Sequence, residues 1–146
     1  MNKNREILDS VAQVVKDIMN EDGYASVDAA TKRQIYNDTM DTVSRELRKR
    51  DDRWEFEKYY NQWIDETMLI ASENKRYTNE NYVAIVKMGT RALPFIGEKL
   101  LEGKISIVLA CEAIYQKGIL KTYSFSKAAD AWIKKLREDG YLAYGN

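Results

Sequence analysis

Histidine is missing from this chain, and cysteine and proline occur once each, as Cys111 and Pro94. The missing histidine removes the commonest general base and metal ligand. His-based catalytic triads, His-ligated zinc sites and Glu-x-x-His di-iron bundles go with it. A single cysteine excludes an intrachain disulfide and a cysteine-built zinc site, and inside an apolar run it reads as a reduced core residue. Net charge is also missing, with 23 Lys+Arg against 23 Asp+Glu, which argues against a generic polyanion binder and leaves room only for a local patch. Phosphate loops, G-x-G-x-x-G turns, nucleophile elbows and Cys-x-x-Cys pairs do not occur. The longest nearly uncharged apolar run, Ile105 to Ala110, is far short of the roughly 20 residues that span a bilayer. The first 19 residues carry charges throughout and no apolar core of a signal peptide. A cytoplasmic protein with no membrane span is expected.

What is present is helical. The 146 residues are 45% apolar and 32% charged, enough apolar surface for one folded domain. Few breakers and no sustained period of two predict an all-α chain. Ile7, Leu8, Val11, Val14, Val15 and Ile18 form one stripe on a first helix, about 3–20. Tyr36, Met40, Val43 and Leu47 form a seam on a second, about 27–49. Asp52 and Glu55 have capping-box spacing and predict that a third helix starts there and runs to about 71. Residues 72–81 read as the main connection, so that one domain has an N-terminal helical half, residues 1–71, and a C-terminal half, residues 72–146.

Shorter elements are expected in the C-terminal half. They cover about 80–88, about 91–102 with Pro94 in its first turn, a nearly all-apolar helix at 105–117, and about 126–139. Leu93, Ile96, Leu100, Val108, Leu109 and Trp132 are expected to share a core, with Ala129, Ile133 and Leu136 buried on the last helix and Tyr141, Leu142 and Tyr144 tucked back. Short helix pairs stopped by glycine, next to a buried helix, have the look of HEAT-like α-solenoid units.

Several pieces, in this order and spacing, carry a resemblance: WIDET from Trp63, NYVAIVKMGTRALPFIGEKLLEG from Asn81, ACEAIY from Ala110 and AWIKKLREDGY from Ala131. Over residues 63–142 the chain resembles a family of small bacterial and mobile-element proteins with a HEAT-like pattern. The firmest pieces are Met88-Gly89, Ala92-Leu93-Pro94 and Ala131-Trp132. The chain departs from that pattern at Glu112, where the family has an arginine, and at Ile114-Tyr115-Gln116, where it has an Ile-Thr-Gly turn. The resemblance implies a helical fold and brings no catalytic residues.

Five aromatic residues, Trp54, Phe56, Tyr59, Tyr60 and Trp63, are candidate partner-binding residues, because Tyr and Trp dominate interface hot spots. Core packing is the ordinary alternative at such helical spacing. Arg45, Arg48, Lys49, Arg50 and Arg53 stand just before these rings, and cations beside stacking rings suit single-stranded nucleic acid. Interleaved acids make the segment nearly neutral, and cations at a helix C-terminus are also what the helix dipole favours. A second basic group, Lys117, Lys121, Lys127, Lys134, Lys135 and Arg137, would place the last helix in a groove. Glu112, alone among apolar neighbours, reads either as a raised-pKa acid or as a residue on a solvated helix edge or paired with a nearby Arg or Lys. Asp38 and Asp41 share a helix face and could hold Mg²⁺ with water filling the other positions, but the paired Glu-x-x-Glu and Glu-x-x-Asp motifs of helical nucleotide pyrophosphatases are missing.

The expected protein is therefore a non-catalytic helical protein–protein interaction module: an inhibitor, antitoxin-like or accessory factor of bacterial or phage origin. It would need no metal or cofactor and would form a homodimer through its first two helices. The alternative is a small DNA- or RNA-binding regulator using the basic groups at 45–53 and 117–137.

Overall fold

The computed structural model describes residues 3–118 and 124–145. Seven α-helices and no strand occur among them: α1 (Lys3–Met19), α2 (Ala29–Thr67), α3 (Glu73–Tyr77), α4 (Glu80–Met88), α5 (Leu93–Leu101), α6 (Val108–Tyr115) and α7 (Phe125–Glu138). The all-α expectation holds. The chain divides into two compact units between Asp51 and Asp52, inside α2 and not in the 72–81 stretch.

The first unit is a helical hairpin. Its turn carries a short 3₁₀ segment, Asp22–Tyr24. Asp28 caps α2, its carboxylate accepting the Thr31 N–H at 2.6 Å. Arg50 donates to the Asn4 amide oxygen at 3.4 Å, and Lys16 stands over the Tyr36 ring at 5.8 Å. These two contacts fix an antiparallel register. The apolar seams of α1 and α2 therefore cover each other, burying Met19 and Leu47. Ile7, Leu8, Val11 and Val15 of the α1 stripe and Tyr36, Met40 and Val43 of the α2 seam are half-buried, while Val14 and Ile18 of the stripe stay exposed.

The capping box at Asp52 and Glu55 is not used, because α2 runs through it unbroken. No glycine or proline interrupts residues 45–58, so the backbone N–H groups there stay in the helical ladder and need no side-chain cap. The two carboxylates instead take Arg91, at 2.8 Å from Asp52 and 3.4 Å from Glu55.

The second unit is built on the last stretch of α2. Phe56, Tyr60 and Trp63 enter a core with Ile85, Leu93, Ile96, Ile107, Val108, Trp132 and Leu136. The stretch after α2 is more ordered than its composition suggests. Ser72 accepts the Lys75 N–H and starts α3, whose Arg76 carbonyl accepts the Trp63 indole N–H at 2.7 Å. The most extensive helix contacts are α5 with α7 and α4 with α6. In the pairs α4–α5 and α6–α7, first helix thus stacks on first and second on second, as in an α-solenoid.

The all-apolar segment splits into a 3₁₀ turn, Ile105–Ile107, and α6. It ends at Gln116, which adopts a left-handed conformation with φ 56°, before Gly118 is reached. Ser124 caps α7. Ile133 is half-buried beside the fully buried Trp132. Beyond Gly140, the Tyr141 N–H donates to the Leu136 carbonyl at 2.9 Å and the Leu142 side chain lies over Gly97. A β-carbon on Gly97 would come within 3.1 Å of both Leu142 methyls. Tyr144 does not tuck back and is exposed.

Five of the six expected core residues are buried, and Leu109 is only half-buried. Chemical denaturation tests this difference. Ile96→Ala should lose about 2–5 kcal/mol, the usual range for an emptied core site, and Leu109→Ala less than about 2 kcal/mol.

Candidate interaction surfaces

The five aromatic residues do not form one surface. Phe56 and Trp63 are wholly buried and Tyr60 nearly so, while Tyr59 is half-buried against the same core. Phe56 packs on Phe95 at 5.7 Å and on Tyr60 at 5.8 Å. Trp63 packs on Tyr82 at 5.1 Å and Tyr77 at 6.1 Å. Their spacing of three and four residues aims these rings at α4 and α5, so the partner-surface expectation is corrected for them. Trp54 alone is a surface ring, 69% exposed, with the Lys58 ammonium 5.6 Å from its centre.

The cations also separate. Arg53 makes a two-point ion pair with Glu98, at 2.6 and 3.0 Å, and lies 4.8 Å over the Phe95 ring. That geometry joins α2 to α5 and removes Arg53 from any phosphate-binding set. Arg45, Arg48, Lys49 and Arg50 are exposed. Lys49 stands 3.6 Å from Glu46, and Arg45 donates weakly to Thr42 at 3.4 Å. In the second basic group, Lys121 lies outside the described residues. Lys135 pairs with Asp139 at 3.2 Å, and Arg137 donates to the Ala143 carbonyl at 3.0 Å. Lys117, Lys127 and Lys134 are exposed, but Ala128, Ala129, Trp132 and Leu136 turn one face of α7 into the core.

Glu112 is half-buried and accepts the Trp132 indole N–H at 3.4 Å, a partner other than the expected arginine or lysine. Asp38 accepts from Gln34 at 2.8 Å. Among the described residues no three His, Cys, Asp or Glu side chains are grouped to hold a metal ion, and no helix is long and apolar enough to cross a membrane.

Three features escaped the sequence. Lys99 is nearly buried, with its ammonium 3.1 Å from Glu57 and 4.7 Å from the Tyr60 ring centre. An open groove of about 510 Å³ runs past Asn61, Ile64, Asp65, Lys104 and Ser106. In the hairpin, Val14, Ile18 and Ile35 remain 56%, 41% and 38% exposed. None of these has a sequence signal, because each depends on which flank of an amphipathic helix its neighbour covers.

No family model matches this chain, and comparison with curated proteins and with solved structures finds no match.

The core polar groups give a pH prediction. Burial, with Glu102 and Glu57 nearby, pushes the Tyr60 phenol from 10.0 up to about 12. Burial, with Glu112 adjacent, pushes the Cys111 thiol from 9.0 up to about 12. Tyr77, Tyr82 and Tyr115 move the same way, chiefly by burial. The unfolded chain therefore releases these protons first as pH rises. Their contribution to stability is complete below about pH 9 and is lost progressively towards pH 12. Urea midpoints should fall steadily above pH 9, and Tyr60→Phe with Cys111→Ala should flatten that fall.

Proposed function

We propose that this chain is a non-catalytic helical interaction module working inside the cell as an inhibitor, antitoxin-like or accessory factor, and that it pairs with a second copy through its N-terminal hairpin. The aliphatic flank left open on that hairpin carries the reading. Val11 and Val15 are half-buried and Met19 is buried, which marks the covered face of α1. At 100° per residue, Val14 and Ile18 turn to one flank. Ile35 turns to the same flank of α2, because antiparallel helices place equal rotations on one side. The register brings Ile18 beside Ile35 and Val14 beside Thr39. Thr39 donates its hydroxyl to the Ile35 carbonyl at 2.8 Å, and satisfying that hydroxyl within α2 makes the flank less polar. Two such flanks packed face to face would make a closed, two-fold four-helix bundle. The Met88-Gly89, Ala92-Leu93-Pro94 and Ala131-Trp132 pieces support placing the second unit with the HEAT-like family.

A second reading, a DNA- or RNA-binding regulator, is favoured by the exposure of Arg45, Arg48, Lys49 and Arg50 on one stretch of α2. Salt-dependent retention on heparin, lost in Arg48→Ala/Arg50→Ala, would select it.

Sedimentation equilibrium tests the first reading. At tens of micromolar the wild-type chain should sediment at twice 17.0 kDa, and Val14→Glu/Ile35→Glu should return it to monomer with helicity kept. A wild-type monomer overturns the self-pairing. Leu47→Glu is unsuited to this test, because Leu47 is buried within the hairpin itself.

A further inference from the structure

The other flank of the hairpin carries a different kind of surface. Near the turn, an open pocket of about 310 Å³ lies between the end of α1 and the start of α2, lined by Lys16, Met19, Asn20, Lys32, Arg33 and Tyr36. Lys16 is two residues from both Val14 and Ile18, and Arg33 is two residues from Ile35. A separation of two residues is about 200° on a helix, which places these cations away from the aliphatic flank. The pocket volume is at the lower end of the roughly 300–1,000 Å³ typical of ligand sites. Its walls are mostly apolar, supplied by the buried Met19 and the half-buried Tyr36.

The rim is cationic, and its cations make no ion pair among the described residues. Four acids stand near it in sequence, Asp17, Glu21, Asp22 and Asp28, but none lines the pocket, and two are engaged locally. Asp28 accepts the Thr31 N–H as the cap of α2, and Asp17 accepts the Gln13 amide at 2.9 Å. In a chain with zero net charge, three cations around one apolar hollow call for an anionic ligand with an apolar anchor.

We infer that this pocket docks an acidic peptide segment of a partner protein, with one apolar side chain seated between Met19 and Tyr36 and flanking carboxylates held by Lys16, Lys32 and Arg33. A methionine wall suits such an anchor, because its unbranched thioether adapts to different side-chain shapes. A nucleic acid fits less well. Binding a single strand relies on stacking platforms, yet Tyr36 is the only ring in the pocket and the Lys16 ammonium stands over it.

Fluorescence polarisation of the full chain tests this with labelled acidic pentapeptides, two carboxylate residues on each side of a central Leu, Phe, Trp or Ala. At least one of the Leu, Phe and Trp peptides should bind saturably, with the Ala peptide about tenfold weaker. Lys16→Glu/Arg33→Glu should weaken binding by about tenfold or more, Lys16→Gln/Arg33→Gln by less, and added salt should weaken it in the wild type. Circular dichroism checks that the variants keep their helicity. The proposal fails if none of the apolar-centred peptides binds, if the charge-reversed variant binds as well as wild type, or if a ten-nucleotide oligo(dT) binds more tightly than every peptide. Val14→Glu alone, two residues from Lys16 and so on the opposite face of α1, should leave peptide binding intact. Failure here is thus distinct from failure of the self-pairing.

Discussion

The second unit depends on one buried indole. Trp63 brings a large apolar ring and a single N–H that must find an acceptor out of water. That acceptor is the Arg76 carbonyl, which ties the end of α2 to α3. The Arg76 guanidinium in turn donates to the Ile70 carbonyl at 3.0 Å, so the turn between the helices is held from both sides. Tyr77 and Tyr82 close on the Trp63 ring, and the Tyr77 hydroxyl donates to the Ser106 carbonyl at 3.2 Å. Through these contacts one tryptophan sets the positions of α3, α4 and the entry to α6.

Around that core lies a layer of ion pairs linking α2 to α5 and its preceding turn: Arg53 with Glu98, Arg91 with Asp52 and Glu55, and Lys99 with Glu57. The exposed pairs of Arg53 and Arg91 are each worth only about 0–1 kcal/mol. Their larger effect is on register, since a slide of α5 along α2 would set like charges against each other. Acids and bases in the Asp52–Lys58 segment largely answer partners on α5 or its preceding turn, whereas the cations at the hairpin pocket have no such answer.

How far the sequence could be read differed from element to element. The bounds of α1, α4, α5 and α7 were legible because apolar spacing, caps and glycines agreed. At Asp52 the signals conflicted: a capping box promised a start, but no breaker supplied a stop, and the uninterrupted ladder prevailed. Helix α3 was hidden because its five residues have no apolar period and owe their order to Trp63. The rings from Phe56 to Trp63 were correctly seen to lie on a helix face, but spacing alone does not distinguish a face that meets another helix from one that meets a partner. The hairpin pocket was illegible for a related reason. Lys16 and Arg33 are 17 residues apart, and only the antiparallel register brings them to one hollow.

Cys111 is fully enclosed, and its thiol is held in the unreactive protonated form. Reagents attack the thiolate and need access to it, so the folded second unit shields its one thiol on both counts. Alkylation can then proceed only through molecules whose core has momentarily opened. The chain thus contains a stopwatch for its own breathing. The rate at which iodoacetamide consumes the thiol reports how often the α4–α7 core comes apart, with no label added and no residue changed.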